Sequence, residues 1–509
     1  MKKLYSTFIV LCLCASAFAH DFSMANQLNG LGGYKYIYYR ITSTEVPTVA
    51  VTFQGATPTS YKEYTTYIVI PTVVTWQSVT YQVTSVDANA FYDCTGLDSV
   101  LLPSSITFID SLAFGGCTKM TKCVMPSNVN FIGEKAFMGC TNLTKINLPT
   151  NITKISDETF FNCNKLTEIT FTDMINYIGK NAFRSCTSLT DINFTDAGTT
   201  VSIGNHAFSD CYALKTLNLH DRVTSIDDYA FCNCTGLETI TLSSTVANIG
   251  FFAFGGCFGL KSIDVDTDNP KYMSENGVLY THSQNTLLIY PPKKPEVEFT
   301  APDKVKLVGD YAFMYSLFLK NVNFNSSLKK IGTSAFYYCT GLSVVSMLDS
   351  VSYMGEGAFY NCKNLDTIKI SSATPPEFQE FSFYSVRDRV SVVVPCDLVE
   401  VYQSSDWGAY FQNINGYGCM PDNTDIEEIA TFQQQDEDIF PNPVEDELYI
   451  NTDEALEQVD IYSLSGILIT SKYNSNIISI SNLSLPKGIY IVKIRTSNNK
   501  LIVRKIIKN

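Results

Sequence analysis

Ile132-Gly133-Glu134-Lys135-Ala136-Phe137-Met138-Gly139-Cys140-Thr141-Asn142-Leu143-Thr144-Lys145-Ile146-Asn147-Leu148-Pro149 is one copy of a pattern written about eleven times along the chain. The next copy starts at Ile155 and keeps Phe160, Cys163, Leu166 and Ile169 in register. Its Phe recurs at Phe91, Phe114, Phe137, Phe160, Phe183, Phe208, Phe231 and Phe254, then at Phe313, Phe336 and Phe359. The step from Phe114 to Phe137 is the standard one; the step to Phe208 is longer by two, and a long insertion precedes Phe313. A fixed period of about 23 residues predicts a solenoid, in which no coil buries its apolar face alone and stacked coils bury it together.

Each copy divides into parts. Leu-x-x-Ile-x-Leu alternates with period two and predicts a short strand with its apolar residues inward. Pro103, Pro126 and Pro149 end that strand, because proline cannot donate to a ladder. The Ile-Gly-x-x-Ala-Phe-x-x-Cys stretch predicts a tight turn or short helical segment that sends Phe and Cys into the core from the opposite side. Outward strand positions then stack into a strip, and its candidate contact residues are Lys145, Asn147, Glu168, Thr170, Asp191, Asn193, Thr216, Asn218, Thr239 and Thr241. The insertion near 266–304 reads as a β-hairpin excursion, with Tyr272, Tyr280 and Tyr290 as rival contacts or as packing residues.

The ends differ from the middle. Lys2, Lys3, the apolar run Phe8 to Leu13 and Ala17-Phe18-Ala19 predict a secretory signal peptide over 1–19, cleaved after Ala19. Residues 20–85 predict an N-terminal β-rich cap, 86–384 the solenoid and 385–420 a C-terminal cap. An acidic stretch without Lys or Arg, 421–438, reads as a solvated linker before a β-rich module over 439–509.

The net charge of −14 argues against nucleic acid, which needs a basic face, and no later run is apolar enough for a transmembrane span. Ten Cys recur at the repeat position, from Cys94 to Cys362. Equivalent side chains on stacked strands stand about 4.8 Å apart, whereas disulfide Cβ atoms converge to about 3.8 Å, so these Cys predict a buried thiol ladder. Cys396 and Cys419 lie outside it and are candidates for pairing. His206 and His220 share a repeat but occupy its turn and its strand end, and no Cys-x-x-Cys spacing supports zinc, so no metal or other cofactor is expected. Neither a Gly-x-Ser-x-Gly elbow, a phosphate loop nor a His-Glu-x-x-His string occurs, which argues against an enzyme.

The string at Ile132–Pro149, repeated at Ile249–Val265, resembles the BspA-like, or Treponema-type, leucine-rich repeat over about residues 60–415. Ser316 in place of Cys, Cys123 in place of the strand Ile and Thr159 in place of Ala depart from the pattern. The resemblance implies a leucine-rich repeat stack with β caps, displayed on a surface or secreted, and adhesion to an extracellular protein, a glycan or another cell surface. The tail resembles the C-terminal sorting domain of type IX secretion in Bacteroidota. Its matching parts are Phe440-Pro441-Asn442-Pro443-Val444, Val459 to Gly466, Leu485 to Lys493 (with Gly488 and Tyr490) and the basic end Lys500 to Lys508. That resemblance implies a β-sandwich-like module, a type IX machinery partner and an extracellular destination. A monomeric adhesin is therefore expected, with a non-adhesive envelope scaffold and, less favoured, a secreted hydrolase as alternatives.

Overall fold

The computed structural model describes residues 20–27, 34–55, 64–386 and 390–418, and seven strand segments between 439 and 508. The expected signal peptide with its expected cleavage after Ala19, the expected linker over 421–438, and Cys419, Pro441, Asn442, Pro443 and Gly466 lie outside the described residues. Contacts group the chain into two compact units. The first takes residues to Leu342 with Tyr353–Asn364 and Phe378–Ser385, and the second takes Ser343–Ser352, Leu365–Glu377 and the chain from Val386.

Most repeats supply one strand to a front parallel arrangement and one to a second; the coil of Lys145 keeps only a single bridge at the front. In the front sheet Thr216–Leu219, Thr239–Leu242 and Ser262–Val265 run side by side, as do Glu168–Phe171 and Asp191–Phe194. In the second sheet the short strands ending in the repeat Ile pair coil to coil: Lys154–Ile155, Tyr177–Ile178, Val201–Ile203, Val223–Ile226 and Asn248–Ile249. Gly follows this Ile at Gly179, Gly204 and Gly250, whereas Ser156 and Asp227 hold the position in the other two coils; where Gly stands, the coils nearly touch. A Cβ on Gly133 would stand 2.5 Å from the Ser111 nitrogen.

The Ala-Phe-x-x-Cys stretch is not helical. Residues on either side of the Phe take positive φ in copy after copy, for example Lys135 and Gly139, Glu158 and Asn162, Tyr229 and Asn233. Alternating handedness turns every second N–H along the stack, so Lys135, Phe137 and Gly139 donate to the carbonyls of Asp157, Thr159 and Phe161 at 3.0, 2.9 and 2.8 Å. This turn is therefore a third ladder, which satisfies backbone groups that a lone turn would leave open.

Inside, the Phe rings form a column. Phe91 stacks on Phe114 with centroids 5.0 Å apart, and the offset stacking continues to Phe254, where the last spacing is 5.6 Å. Beside the column the Cys stay thiols. The Sγ of Cys117, Cys140 and Cys163 donates to the carbonyl of Phe91, Phe114 and Phe137 at 3.1–3.2 Å. Burial pushes the Cys186 thiol up to about 12, so it holds its proton. Cys396 is disulfide-bonded, with its partner outside the described residues.

The stack has about fourteen turns rather than about eleven. The count from sequence follows Phe and misses coils that carry another residue at that position. Thr66–Val69 already pairs as a front strand with Leu97–Leu101, and Tyr64 stands against Phe91 at 4.7 Å. Tyr290 lies one repeat step before Phe313 and stacks on it at 5.0 Å. Phe383 stacks on Phe359 at 5.4 Å, although Val386 replaces its Cys.

The insertion is shorter than expected. Its hairpin is Tyr272–Glu275 with Val278–Thr281, joined by Asn276-Gly277, both at positive φ as a two-residue hairpin turn requires. Thr286–Ile289 already pairs parallel with Leu307–Val308, and Glu298–Thr300 with Asn321–Asn323, so 286–304 is a coil of the stack.

In the second unit Thr367–Ile370, Ser391–Pro395 and Asn413–Tyr417 continue a parallel sheet. Two short helices, Val399–Gln403 and Asp406–Tyr410, bury Tyr402 and Trp407, whose polar ends donate to the carbonyls of Ser372 and Pro376 at 2.9 and 2.7 Å. In the tail, Leu456–Ser463 pairs antiparallel with Leu468–Tyr473 and with Gly488–Thr496, which pairs with Leu501–Lys508. The basic end is thus a strand. Tyr490 is buried with Val459, Ile461, Val492 and Ile506.

Candidate binding surface

Within each group of paired front strands the outward positions stand in register, whereas Lys145 and Asn147 lie in a coil whose front segment keeps only the bridge from Lys145 to Lys122. Glu168 stands beside Asp191 and Thr170 beside Asn193, while Thr216, Thr239 and Ser262 form one row and Asn218, Thr241 and Asp264 the next. Lys145, Asn147, Glu168, Thr170, Asp191, Asn193, Thr216, Asn218 and Thr241 are exposed, and Thr239 is half-exposed. Lys145 Nζ meets Glu168 Oε1 at 2.6 Å, a surface pair that ties neighbouring coils weakly.

The strip is interrupted where the repeat step lengthens before Phe208. Loop 195–199 bulges there, and the strands on either side, Asp191–Phe194 and Thr216–Leu219, belong to separate sheets. Arg222, only 4% exposed, fills the bulge. Its guanidinium donates to the carbonyls of Thr172, Asp173, Ile175 and Thr199 and to Thr195 Oγ1, all within 3.1 Å. Burial pulls its pKa below the usual value, which Asp173 partly offsets. No signal in the sequence distinguishes this Arg from a surface one.

The three insertion tyrosines do not form a surface patch. Tyr280 and Tyr290 are 1% and 2% exposed, and Tyr272 is half-buried with its hydroxyl accepting from the Ile249 N–H at 3.0 Å. They sit inside because the hairpin folds back on the stack: Ile263 N–H donates to the Gly277 carbonyl at 3.0 Å. Tyr280 and Tyr290 instead line a cleft of about 430 Å3 between the hairpin and the next front strand.

Another surface was not anticipated. In the later coils one or both of the two positions after the repeat Phe are tyrosine: Tyr315, Tyr337, Tyr338, Tyr360 and Tyr384. Tyr315 stacks on Tyr338 at 5.2 Å, Tyr337 on Tyr360 at 5.2 Å and Tyr360 on Tyr384 at 4.8 Å. The run of Tyr at Phe336-Tyr337-Tyr338 and Phe359-Tyr360 was the available signal.

Among the described residues no group of three His, Cys, Asp or Glu converges to hold a metal ion, and no helix is long and apolar enough to cross a membrane. His206 lies flat against Tyr229 at 4.8 Å, while His220 accepts from the Arg222 N–H at 3.3 Å.

Residues 73–190, 153–276 and 295–409 match the BspA type leucine rich repeat region, together more than half of the chain. Residues 438–509 match the secretion system C-terminal sorting domain. No curated protein matches. Among solved structures, a leucine rich cell surface protein from Faecalibacterium prausnitzii is 24% identical with a TM-score of 0.50, covering 79% of this chain and 96% of its own. A leucine-rich repeat protein from Bacteroides ovatus is 21% identical with a TM-score of 0.43, covering 72% and 95%.

Proposed function

The chain belongs to the BspA-type leucine-rich repeat family, and from that premise we propose that it is an adhesin, holding an extracellular protein or glycan on its front strand face. The sorting tail makes it a secreted or cell-surface protein, exported by type IX secretion. The observation that carries the adhesive reading is the uncovered strip. Two polar positions per strand project from a sheet whose inward positions pack the core, and they repeat in register from coil to coil. Such a surface lacks a central aromatic anchor, so its affinity comes from area and from many copies displayed together rather than from one hot spot.

The test is binding of the purified chain to immobilised matrix proteins, glycans and neighbouring cells. Saturable binding is expected, and it should fall at least tenfold when Thr216, Asn218 and Thr241 are replaced together by Lys, since like positive charges on one face disturb contact without touching the core. If no ligand binds and deletion of the protein alters the cell envelope, the scaffold reading replaces this one. Turnover of a polymeric substrate by the purified chain would make it a hydrolase instead.

A further inference from the structure

The front sheet has an opening. After Ser262–Val265 the chain makes the hairpin Tyr272–Thr281 instead of a front strand, and the next strand of the repeat pattern is Glu298–Thr300. Between them lies the cleft of about 430 Å3, within the size range of small-ligand sites. Val278, Tyr280, Tyr290 and Phe299 give it an apolar wall. Glu275, Glu296, Glu298 and Asp303 bring four carboxylates to it against one ammonium, Lys294. That Lys is 8% exposed and already bound to Glu296 at 2.8 Å.

Tyr290 marks the cleft as more than an acidic surface. It occupies the Phe position of its coil, so the column needs only its ring. Its hydroxyl is buried and has no hydrogen-bond partner among the described residues. The tyrosine at the other broken end of a column behaves differently: Tyr64 Oη donates to the Thr52 carbonyl at 3.0 Å and accepts from the Tyr38 N–H at 3.1 Å. A buried, unbonded hydroxyl is destabilising, and phenylalanine at this position would avoid that cost.

The acceptors define the ligand. Glu298 accepts one bond, from Asn323 Nδ2 at 2.8 Å, and Glu275 one from the Gln284 amide, so each carboxylate keeps lone pairs for another donor. The Tyr290 ring offers no platform for a sugar, because it is stacked on Phe313 and meets Phe299 edge-on at 5.4 Å. The net negative lining repels anions. We propose that the cleft is a binding site for the guanidinium group of an arginine side chain on an exposed peptide segment of a partner protein. Guanidinium carries five N–H donors and no acceptor, is weakly hydrated, and pairs with carboxylates in a fixed fork, while the Tyr290 hydroxyl takes a further N–H. The site is separate from the strand strip, so either can fail without the other.

Calorimetric titration of the full chain with acetyl-Gly-Arg-Gly-amide tests it, with the citrulline peptide as a neutral isostere. Saturable binding that weakens with salt is expected, with the citrulline peptide at least about tenfold weaker. Glu298→Gln and Tyr290→Phe should each weaken the arginine peptide by roughly tenfold, the loss of one charge-assisted bond. The melting temperature of Tyr290→Phe should hold or rise. Equal binding of both peptides, binding indifferent to Tyr290→Phe, or no binding of the arginine peptide at millimolar concentration would overturn the proposal. Replacing Thr216, Asn218 and Thr241 should leave this titration unchanged.

Discussion

Before Phe208 the repeat step grows by two, and the slack bulges at 195–199 under the guanidinium of Arg222, which collects four carbonyls and a hydroxyl. Before Phe313 the chain grows by a hairpin, and there nothing among the described residues answers the buried hydroxyl of Tyr290 or that of Ser316. At the first the bulge carbonyls are met from within, with Thr172 Oγ1 left unpaired beside them; at the second the hydroxyls of the column and thiol positions themselves are unmet, in both cases among the described residues. In a repeat protein the coils between irregularities are energetically alike, because each supplies the same ring and the same thiol to the next. Departures from the step are thus where the chain either commits a side chain to repair or leaves room for something else.

The regular coils set the scale for that comparison. Phe160 lies between Phe137 and Phe183 at 5.4 and 5.2 Å, fully buried. Phe160→Ala should cost about 3–5 kcal/mol, as aromatic core deletions usually do, seen as a lower urea midpoint with near-native far-ultraviolet dichroism below it. A loss under about 1 kcal/mol would mean that neighbouring rings close the gap and that the column is not the main source of stability.

The repaired irregularity comes next in size. Arg222→Met keeps the apolar stem and removes every donor from the bulge. Hydrogen bonds to a charged group contribute about 1.5–3 kcal/mol each when made and leave costly acceptors when lost, but removing a buried charge returns part of that. A net loss of about 2 kcal/mol is expected, with faster amide exchange concentrated in 195–199 rather than in the coils on either side. Uniformly raised exchange along the stack would show that Arg222 serves global stability and not the bulge.

How much of this was legible follows from what each feature asks of the residue. Phe, Cys, Leu and Ile at fixed spacing are required by the core, so the solenoid, the strand strip and the thiol ladder can be read directly. The turn ladder could not be read, because its left-handed positions are held by Lys135, Glu158, Tyr229 and Phe252 as well as by Gly, and stacking rather than residue type fixes their φ. The Tyr290 coil is hidden because Tyr stands where the other coils carry Phe, one regular step before Phe313. The cleft was beyond reach, since Glu275 and Glu298 meet across it only after the hairpin folds back and the chain completes another coil. Arg222 carries no periodic signal at all.

The unrepaired irregularity allows a smaller and opposite effect. Ser316 stands where the other coils carry Cys. It follows Tyr290 at the same spacing at which Cys339 Sγ donates to the Phe313 carbonyl at 2.9 Å and Cys362 Sγ to that of Phe336 at 3.0 Å. Ser316 is equally buried, yet its Oγ finds no partner among the described residues. A carbon–oxygen bond is shorter than a carbon–sulfur bond, so the hydroxyl stops short of a carbonyl that a thiol reaches. Ser316→Cys should therefore stabilise the chain by about 1 kcal/mol, exchanging an orphaned hydroxyl for a weak but satisfied donor. The check is a higher urea midpoint at unchanged slope. A lower midpoint would place Ser316 with Tyr290 as polar groups that the open coil keeps for a ligand or an ordered water, and would extend the contrast with the bulge at Arg222 one residue deeper into the core.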